Sequence, residues 1–373
     1  IGYSYSTSGD FGDDGKAMNQ GYQLWAQTVN NSGGILGRPV QLDVLQDNSD
    51  PQKVANNYKT LITQKHVNLL FGPFSSLLTK AVIPVAAQYG YALPEGSGGG
   101  TTVFTENDQY HDVAFDVSLP VSQNLVSFAY YILSLPPANR PKTVAYATEN
   151  DPFTLPQIQA VQKILRSADV QQVYYKEYDG ADAKAYVPTA QAVAQANADI
   201  VVLGTVLPDA AAFINTFKQE HYNPKALVAT AGPDGGQQFV HAVGLPATEA
   251  VFVPNGWYPA ANNFQNALMV QDYLAQYGGT ANSINADVAE AYSVGQVVQQ
   301  AIEKAGSIDN AALIQRLRQE TFDTVQGAVQ FDSHGQNLTA LSYLFQWQKG
   351  AFLPVFPPTV AVQNPVYPRP SVS

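Results

Sequence analysis

The sequence predicts an α/β protein built of two three-layer lobes, each with helices on both faces of a mostly parallel sheet. The chain has 373 residues, a length that suggests two domains rather than one. Hydrophobic residues make up 45% of the chain, which is enough for two packed cores. Strand-like and helix-like segments alternate along most of the chain, and this alternation is typical of parallel sheets covered by helices.

The alternation begins at the strand-like N-terminal run IGYSYS. The next two strands are predicted at 40–45 and 67–71, and the first two helices at 51–65 and 75–90. Asp50 is suited to cap the first of these helices, and Pro51 to occupy its first position. Gly90 is suited to end the second helix, because glycine adopts the left-handed conformation common at helix C-termini.

The same rhythm continues through the middle of the chain. Strands are predicted at 143–147, 171–176, 199–204 and 226–230, and helices at 155–168, 185–197, 208–220, 261–278, 285–305 and 309–319. The alternation breaks near 95–120 and near 252–260, where glycines and prolines concentrate. After residue 324 the sequence favours strands (TVQGAVQF and ALSYLFQW), which lead into a proline-rich tail.

Charge and composition narrow the possible partners. The formal net charge of -11 argues against a nucleic-acid partner and against docking on an anionic membrane surface. Cysteine is absent from the sequence, so thiol catalysis, disulfides and cysteine-ligated metals are excluded. The chain begins at Ile1 inside a strand-like run, and we expect a processed N-terminus with its signal peptide removed. A cut fragment is the other interpretation.

Signatures of catalysis are also missing from the sequence. It contains no HExxH, GxSxG or GxxxxGK[ST] motif, and its five histidines lack the spacing of a zinc site. The glycine-rich run 96–100 follows a short strand but opens no clear helix, so it fits a loop that lets backbone approach a ligand. No metal, cofactor or catalytic residue is therefore expected.

Three segments carry a resemblance to a known family. Residues 8–54 contain a short Ser-Gly loop, a helix, the run N-x-G-G-I-x-G-R-P at residues 31–39, and a strand that leads to Asp50-Pro51. Residues 69–99 contain a strand, a G-x-x-S-S loop, a helix and a strand ending in proline, and residues 229–244 contain a Gly-Pro-acid-Gly turn. In these features the chain resembles the branched-chain (Leu/Ile/Val-type) amino-acid binding proteins of ABC transporters.

The resemblance implies the type I periplasmic binding protein fold. In that fold two Rossmann-like αβα lobes, each assembled from discontinuous segments, are joined by three crossover strands. The lobes expected here are 1–118 with 255–328, the carboxylate-binding side, and 119–254 with 329–373. The crossings are expected near 117–120, 252–256 and 328–335.

The resemblance also implies a function. It is that of an extracytoplasmic solute-binding protein, periplasmic or lipid-anchored, that acts as a monomer and not as an enzyme. Its two lobes would close on a hydrophobic or branched-chain amino acid, or on a related aliphatic or aromatic carboxylate, for delivery to a membrane permease. A ligand sensor or receptor domain of the same fold, sensing amides or aromatic acids, is the first alternative, and an α/β enzyme is the second.

In the first lobe the resemblance selects two short segments. Ser75 and Ser76 stand at a predicted helix start, where free backbone N–H groups attract anions, and a serine matching Ser76 binds the ligand carboxylate in the family. Simple helix capping is the alternative. Glu95, Gly96 and Ser97 match the loop that touches carboxylate and ammonium, but Glu95 replaces a small residue and would repel a ligand carboxylate unless it faces away.

In the second lobe the expected contacts are Asp234, Phe153 and Val206. Asp234 matches the family acid that accepts from the ligand ammonium, although an Asp between Pro and Gly is also an ordinary turn residue. Phe153 and Val206 align near two family tyrosines, which predicts a more apolar pocket. Trp257, after the second crossing, is a candidate pocket wall, with a core position as the alternative.

Overall fold

A computed structural model of the chain describes residues 1–100, 103–104 and 112–371. Residues 101–102, 105–111 and 372–373 lie outside this description, and with them one of the five histidines, His111, and part of the break predicted near 95–120. The chain divides into two compact units. Unit 1 comprises residues 1–120 and 256–341, and unit 2 comprises residues 121–255 and 342–373.

The elements of the described residues are numbered here in chain order. The strands are β1 (Gly2–Tyr5), β2 (Asp43–Gln46), β3 (Leu93–Glu95), β4 (Ala114–Asp116), β5 (Thr143–Glu149), β6 (Gln171–Tyr178), β7 (Ile200–Gly204), β8 (Ala226–Ala229), β9 (Val251–Asn255), β10 (Phe322–Thr324), β11 (Gly327–Val329), β12 (Tyr343–Gln348) and β13 (Ala351–Phe356). The helices are α1 (Gly12–Asn31), α2 (Pro51–Thr63), α3 (Ser76–Tyr89), α4 (Val121–Asn124), α5 (Val126–Ser134), α6 (Thr154–Ser167), α7 (Tyr186–Ala196), α8 (Leu207–Gln219), α9 (Gln237–Val243), α10 (Leu245–Thr248), α11 (Asn266–Tyr277), α12 (Ala286–Ala305) and α13 (Asn310–Gln319).

In unit 1 the parallel strands are short and form separate pairs. Strand β1 pairs with β2, and β3 pairs with β4, both in parallel. The predicted strand at 67–71 is reduced to a single bridge between Leu70 and Gly2, although the Gly2 N–H donates to Leu69 O at 2.9 Å. The Gly72 N–H donates to Pro94 O at 2.9 Å, so this segment still links β1 to β3.

Helix packing in unit 1 brings α12 against α1. The indole of Trp25 lies over Gly295, where a Cβ atom would come within 2.1 Å of the Trp25 ring. Two hydrophobic clusters, one around these helices and one around α2 and α3, form the core of the unit. The predicted helix ends are confirmed at two places. The Asp50 carboxylate accepts from the N–H groups of Gln52 and Lys53, and Gly90 ends α3 with a φ of 70°.

Unit 2 contains one seven-stranded sheet. Its strand order is β13-β12-β9-β8-β7-β5-β6, with β12 antiparallel to both of its neighbours and the remaining pairs parallel. Hydrophobic clusters of buried residues lie on both faces of this sheet. The strands and helices predicted between 143 and 230 are confirmed within a few residues at each end. The sequence analysis missed the strands β4 and β13 and the helices α4, α5, α9 and α10.

Two further features complete the fold. The last boundary between the units falls between Leu341 and Ser342, later in the chain than the third expected crossing at 328–335. No helix within the described part of the chain is long and apolar enough to cross a membrane.

Candidate functional site

The first candidate segment of unit 1 is the start of α3. Ser75 caps the helix, and its hydroxyl accepts from the Leu78 N–H at 3.2 Å. Its φ of 75° and ψ of 149° fall in a region that is costly for any residue except glycine, and strain of this kind is concentrated at functional sites. Ser76 is fully buried, and its hydroxyl has no hydrogen-bond partner among the described residues. The Thr79 hydroxyl, one turn further on, is also buried, and no described residue forms a hydrogen bond with it.

The second candidate segment is the glycine loop, which we define as residues 96–100. A Cβ atom on Gly98 would come within 2.2 Å of the Thr79 hydroxyl oxygen and within 2.7 Å of Glu95 Oε2, so only glycine fits between α3 and Glu95. A Cβ atom on Gly99 would come within 2.4 Å of Asp116 Oδ2. The structure therefore brings the first turn of α3 and the glycine loop together around acidic side chains.

Glu95 and Asp116 end the neighbouring strands β3 and β4 and occupy directly paired positions. Paired residues project from the same face of a sheet, so the two side chains form what we call the carboxyl pair. Both residues are fully buried. Glu95 Oε2 accepts from the N–H groups of Ser97, at 2.9 Å, and Gly98, and Asp116 Oδ1 accepts from the Ser118 N–H at 3.1 Å. Glu95 Oε1 and Asp116 Oδ2 have no hydrogen-bond partner in the part of the chain that the structure describes.

A third acid, Glu290 on α12, adds negative charge to this region. Its carboxylate accepts from the Ser97 hydroxyl at 3.0 Å, so the candidate hydroxyl of Ser97 is already engaged. Burial, together with the charge of Glu290, raises the pKa of Glu95 to about 8, even though the backbone N–H groups of Gly98 and Ser97 oppose the shift. Burial and the charges of Glu95 and Glu290 raise the pKa of Asp116 well above its ordinary value.

In unit 2 the candidate residues Phe153 and Val206 follow the carboxyl ends of β5 and β7. The N–H of Phe153 donates to the Asp151 carboxylate at 2.8 Å, which starts α6. The N–H of Val206 donates to the Asp209 carboxylate at 2.9 Å, which starts α8. Both side chains are half-buried, so they provide apolar surface at the edge where open α/β sheets bind ligands.

Asp234 lies near Val206, in a short 3-10 turn after β8. A Cβ atom on Gly232 would come within 3.1 Å of Val206 O, so the two candidate segments adjoin. Asp234 itself is exposed, and its carboxylate accepts from the Gly232 N–H at 2.7 Å. One of its oxygens therefore stabilises its own turn, as the alternative interpretation of the Pro-Asp-Gly sequence predicts.

Sequence reasoning missed an acidic cluster at the same edge of unit 2. Glu149 ends β5 and is nearly buried, and burial together with Asp209 raises its pKa to about 11. Asp209 is buried and accepts from the Tyr178 hydroxyl at 2.5 Å, while burial raises its pKa to about 6. For Glu149 the available signal was a carboxylate two residues after the strand predicted at 143–147. Asp116 ends β4, a strand that the sequence analysis did not predict, so no comparable signal existed for it.

Trp257 occupies a different environment from the other candidates. Only 2% of its surface is exposed, and it belongs to the main hydrophobic cluster of unit 1. Its indole N–H donates to Asn266 Oδ1 at 2.8 Å. This is the core position that the sequence analysis held as the alternative to a pocket wall, and the indole contributes to the stability of unit 1 there.

Comparison with known proteins adds to this geometry. A family model described as periplasmic binding protein matches residues 1–351. Leu/Ile/Val-binding protein homolog 7 of Brucella melitensis is 24% identical over 382 residues, which cover 98% of this chain and 92% of the relative. Two solved structures are similar in fold. The first is the branched-chain amino acid transporter substrate binding protein LivJ from Streptococcus pneumoniae, in complex with isoleucine. It has a TM-score of 0.79 and 20% sequence identity, and the match covers 96% of this chain and 99% of the LivJ chain. The second is an ABC transporter solute binding protein from R. palustris, in complex with benzoate. It has a TM-score of 0.79 and 17% sequence identity, and the match covers 95% of this chain and 94% of that protein's chain.

Proposed function

The chain belongs to the periplasmic binding protein family and has its type I fold, and from that premise we propose that it is the solute-binding protein of an ABC importer. Members of this family are binding proteins, and the family implies an extracytoplasmic location. In the proposed function the protein binds a small organic solute outside the cytoplasm and delivers it to a membrane permease. It makes and breaks no covalent bond.

One observation carries this proposal. Within the described residues, the buried hydroxyls of Ser76 and Thr79 and one oxygen of each member of the carboxyl pair lack hydrogen-bond partners. Thr79, Glu95 and Asp116 lie next to the glycine loop, and Ser76 belongs to the same first turn of α3 as Thr79. Buried polar groups in folded proteins are nearly always hydrogen-bonded, so a group of four without partners calls for an explanation. A ligand that supplies the missing donors and acceptors accounts for all of them together.

We propose that the ligand is a hydrophobic amino acid or a related small carboxylate. Similar proteins were solved with isoleucine and with benzoate, which are both small molecules with one apolar part and one carboxylate. The first turn of α3 can receive an acid group, because helix N-termini present free N–H groups and the Ser76 hydroxyl is available. The side chains of Phe153 and Val206 suit the apolar part.

The chain offers two places for a ligand amine. Asp234 in unit 2 is the acceptor that the family resemblance implies, and it is accessible. The carboxyl pair in unit 1 is the other, with two oxygens that form no hydrogen bond to any described residue. Either place is compatible with the proposed function, in which units 1 and 2 act as the two lobes of a clamp and the protein works as a monomer.

A thermal-shift screen tests the proposed function. The purified chain is heated with hydrophobic L-amino acids, with the corresponding acids that lack the amine, and with benzoate-type acids. A ligand at 100 times its dissociation constant adds about 2.7 kcal/mol to the free energy of unfolding, which is readily measured. We expect at least one class to raise the melting temperature. If no member of the panel does, the proposed ligand class is wrong.

A further inference from the structure

We propose that Trp347 of β12 is a positioning residue for the ligand contacts of unit 2, because its indole holds the turn that presents Asp234. We call this turn, residues 232–236, the Asp234 turn. The inference rests on the proposed function and takes Asp234 as a ligand contact. It adds a residue 114 positions later in the chain than Pro233, the residue that it holds. Trp347 acts through the turn and not by contact with the ligand.

The Asp234 turn has little conformational preference of its own. Its sequence is Gly-Pro-Asp-Gly-Gly, and Gly232 and Gly236 have φ values of 104° and 59°, which glycine adopts readily. The Gly232 N–H donates to the Asp234 carboxylate at 2.7 Å, and the Gly235 N–H donates to Gly232 O at 3.0 Å. These two bonds close the turn but do not fix its place in unit 2. Its position therefore depends on groups from other parts of the unit.

Trp347 supplies a hydrogen bond to the middle of the turn. Its indole N–H donates to Pro233 O at 2.8 Å, and both residues are buried. Proline has no N–H, so the backbone of this residue can form hydrogen bonds only through its carbonyl. A buried carbonyl that loses its donor is costly, and the cost is relieved if the carbonyl turns toward water. Loss of the indole N–H is therefore expected to displace Asp234, the next residue.

The indole itself is fixed by the elements around it. Trp347 is 3% exposed and belongs to a hydrophobic cluster of unit 2. Its ring centroid lies 6.1 Å from that of Phe239 in α9 and 5.5 Å from that of Phe352 in β13. Its backbone carbonyl accepts from the Ala250 N–H, next to β9, at 2.8 Å. A donor packed in this way has a defined position, so it specifies the position of its acceptor.

A second contact of the turn is with the segment that carries Val206. A Cβ atom on Gly232 would come within 3.1 Å of Val206 O, so the two backbones lie close together. The Thr230 hydroxyl donates to Thr205 O at 2.6 Å and accepts from the Thr205 N–H at 2.8 Å, which joins the ends of β7 and β8. This packing fixes the first residue of the turn, and the indole hydrogen bond fixes the next.

Calorimetric titration of Trp347→Phe with L-isoleucine tests the inference. The substitution keeps an aromatic ring in the cluster and removes the N–H donor. We expect isoleucine affinity to fall about tenfold or more. The matched control is Tyr222→Phe in the same unit, which removes the hydrogen bond from the Tyr222 hydroxyl to Ala198 O, 2.9 Å long. It is expected to change the affinity less than about threefold.

A double-mutant cycle separates positioning from a general loss of structure. Asp234→Asn is expected to lower isoleucine affinity about tenfold or more in the wild type, but less than about threefold in the Trp347→Phe variant, where the turn is already displaced. If the two losses multiply, Trp347 acts independently of Asp234 and the inference is overturned. Wild-type affinity in either single variant also overturns it.

A measurement on the wild type decides the matter if Trp347→Phe does not fold. The chain has three tryptophans, so protein labelled with 15N in the indole gives at most three N–H signals in an NMR spectrum, assigned with Trp25→Phe and Trp257→Phe. Saturating isoleucine is expected to shift the Trp347 signal, because a ligand at Asp234 alters the hydrogen bond to Pro233. An unchanged signal contradicts the inference.

The wild type also distinguishes this inference from the proposed function. Benzoate serves as a second probe, an acid without an amine. If benzoate binds and isoleucine does not, the inference is overturned and the proposed function stands. If neither binds, and the thermal-shift screen finds no other member of its panel that does, the proposed ligand class is wrong as well.

Discussion

At the scale of single residues, the helix N-termini distinguish polar side chains that cap a helix from those that are candidate ligand contacts. Asp50, Asn285 and Asp309 each accept from backbone N–H groups of the helix that follows, so their polar atoms are used by the fold. Ser75 does the same for α3. The hydroxyl of its neighbour Ser76 is buried and has no hydrogen-bond partner within residues 1–100, 103–104 and 112–371. Two adjacent serines therefore have different tasks, and substitution can tell them apart.

Alanine substitutions of the two serines are expected to have opposite profiles. Ser75→Ala removes a cap and should lower the free energy of unfolding by about 0.5–2 kcal/mol, with little effect on ligand affinity. Ser76→Ala removes an unused hydroxyl and should leave unfolding nearly unchanged, but lower affinity for the solute identified by the thermal-shift screen about tenfold or more. Chemical denaturation and calorimetric titration measure the two quantities. Ser32→Ala, at an exposed helix end, is the control, and equal profiles for Ser75 and Ser76 would contradict the distinction.

At the scale of elements, the proline-rich tail after β13 is part of the fold of unit 2. Arg369 is only 7% exposed and donates to Ala247 O at 2.8 Å and to Glu249 O at 3.0 Å. Gln346 of β12 exchanges two hydrogen bonds with the backbone of Val366. The sequence analysis recognised the tail only by its prolines. Its role depends on carbonyl groups far away in the sequence, which no local pattern reveals.

Arg369→Ala is expected to destabilise unit 2 by about 2–4 kcal/mol, because it leaves two backbone carbonyls without their donors. Burial lowers the pKa of Arg369 to about 10, so the guanidinium is charged at pH 7 and the loss should be the same at pH 6 and pH 8. Urea denaturation measures it. Arg140→Ala, an exposed arginine that also donates to backbone carbonyls, is the control and should cost less than about 1 kcal/mol. A negligible effect of Arg369→Ala would mean that the tail is dispensable.

At the scale of the whole molecule, the chain forms two units with separate cores and passes between them three times. Each unit contains both early and late segments of the chain. Neither unit is therefore a continuous piece of sequence that can be cut out at a single position. In the proposed clamp a ligand adds contacts with residues of both units, so it links their stabilities.

Differential scanning calorimetry tests this linkage. Without ligand we expect two overlapping transitions, one for each core. With a saturating solute from the thermal-shift screen the transitions should merge and move to higher temperature, because the proposed clamp binds its ligand only when both units are folded. A ligand that raises one transition alone would place its whole binding site in one unit. Small-angle scattering of the same samples should show a smaller radius of gyration with ligand if the clamp closes.

The sequence by itself determined the fold class and most of the elements of unit 2. Periodicity and caps are local properties, and they predict elements such as β5, α6 and β7 within a few residues. Long buried strands in one large sheet make these patterns strong. The family resemblance likewise rests on local motifs, so Ser76 and the glycine loop could be named as candidate ligand contacts from the sequence alone.

Only the tertiary structure decided how polar groups meet. The bridge that replaces the strand at 67–71, the pairing of Glu95 with Asp116, and the unpartnered hydroxyl of Thr79 depend on which strands become neighbours. The same is true of Arg369 and its carbonyl partners. Hydrogen bonding and the pKa of a buried acid are set by atoms that are distant in sequence, and sequence periodicity contains no information about those distances.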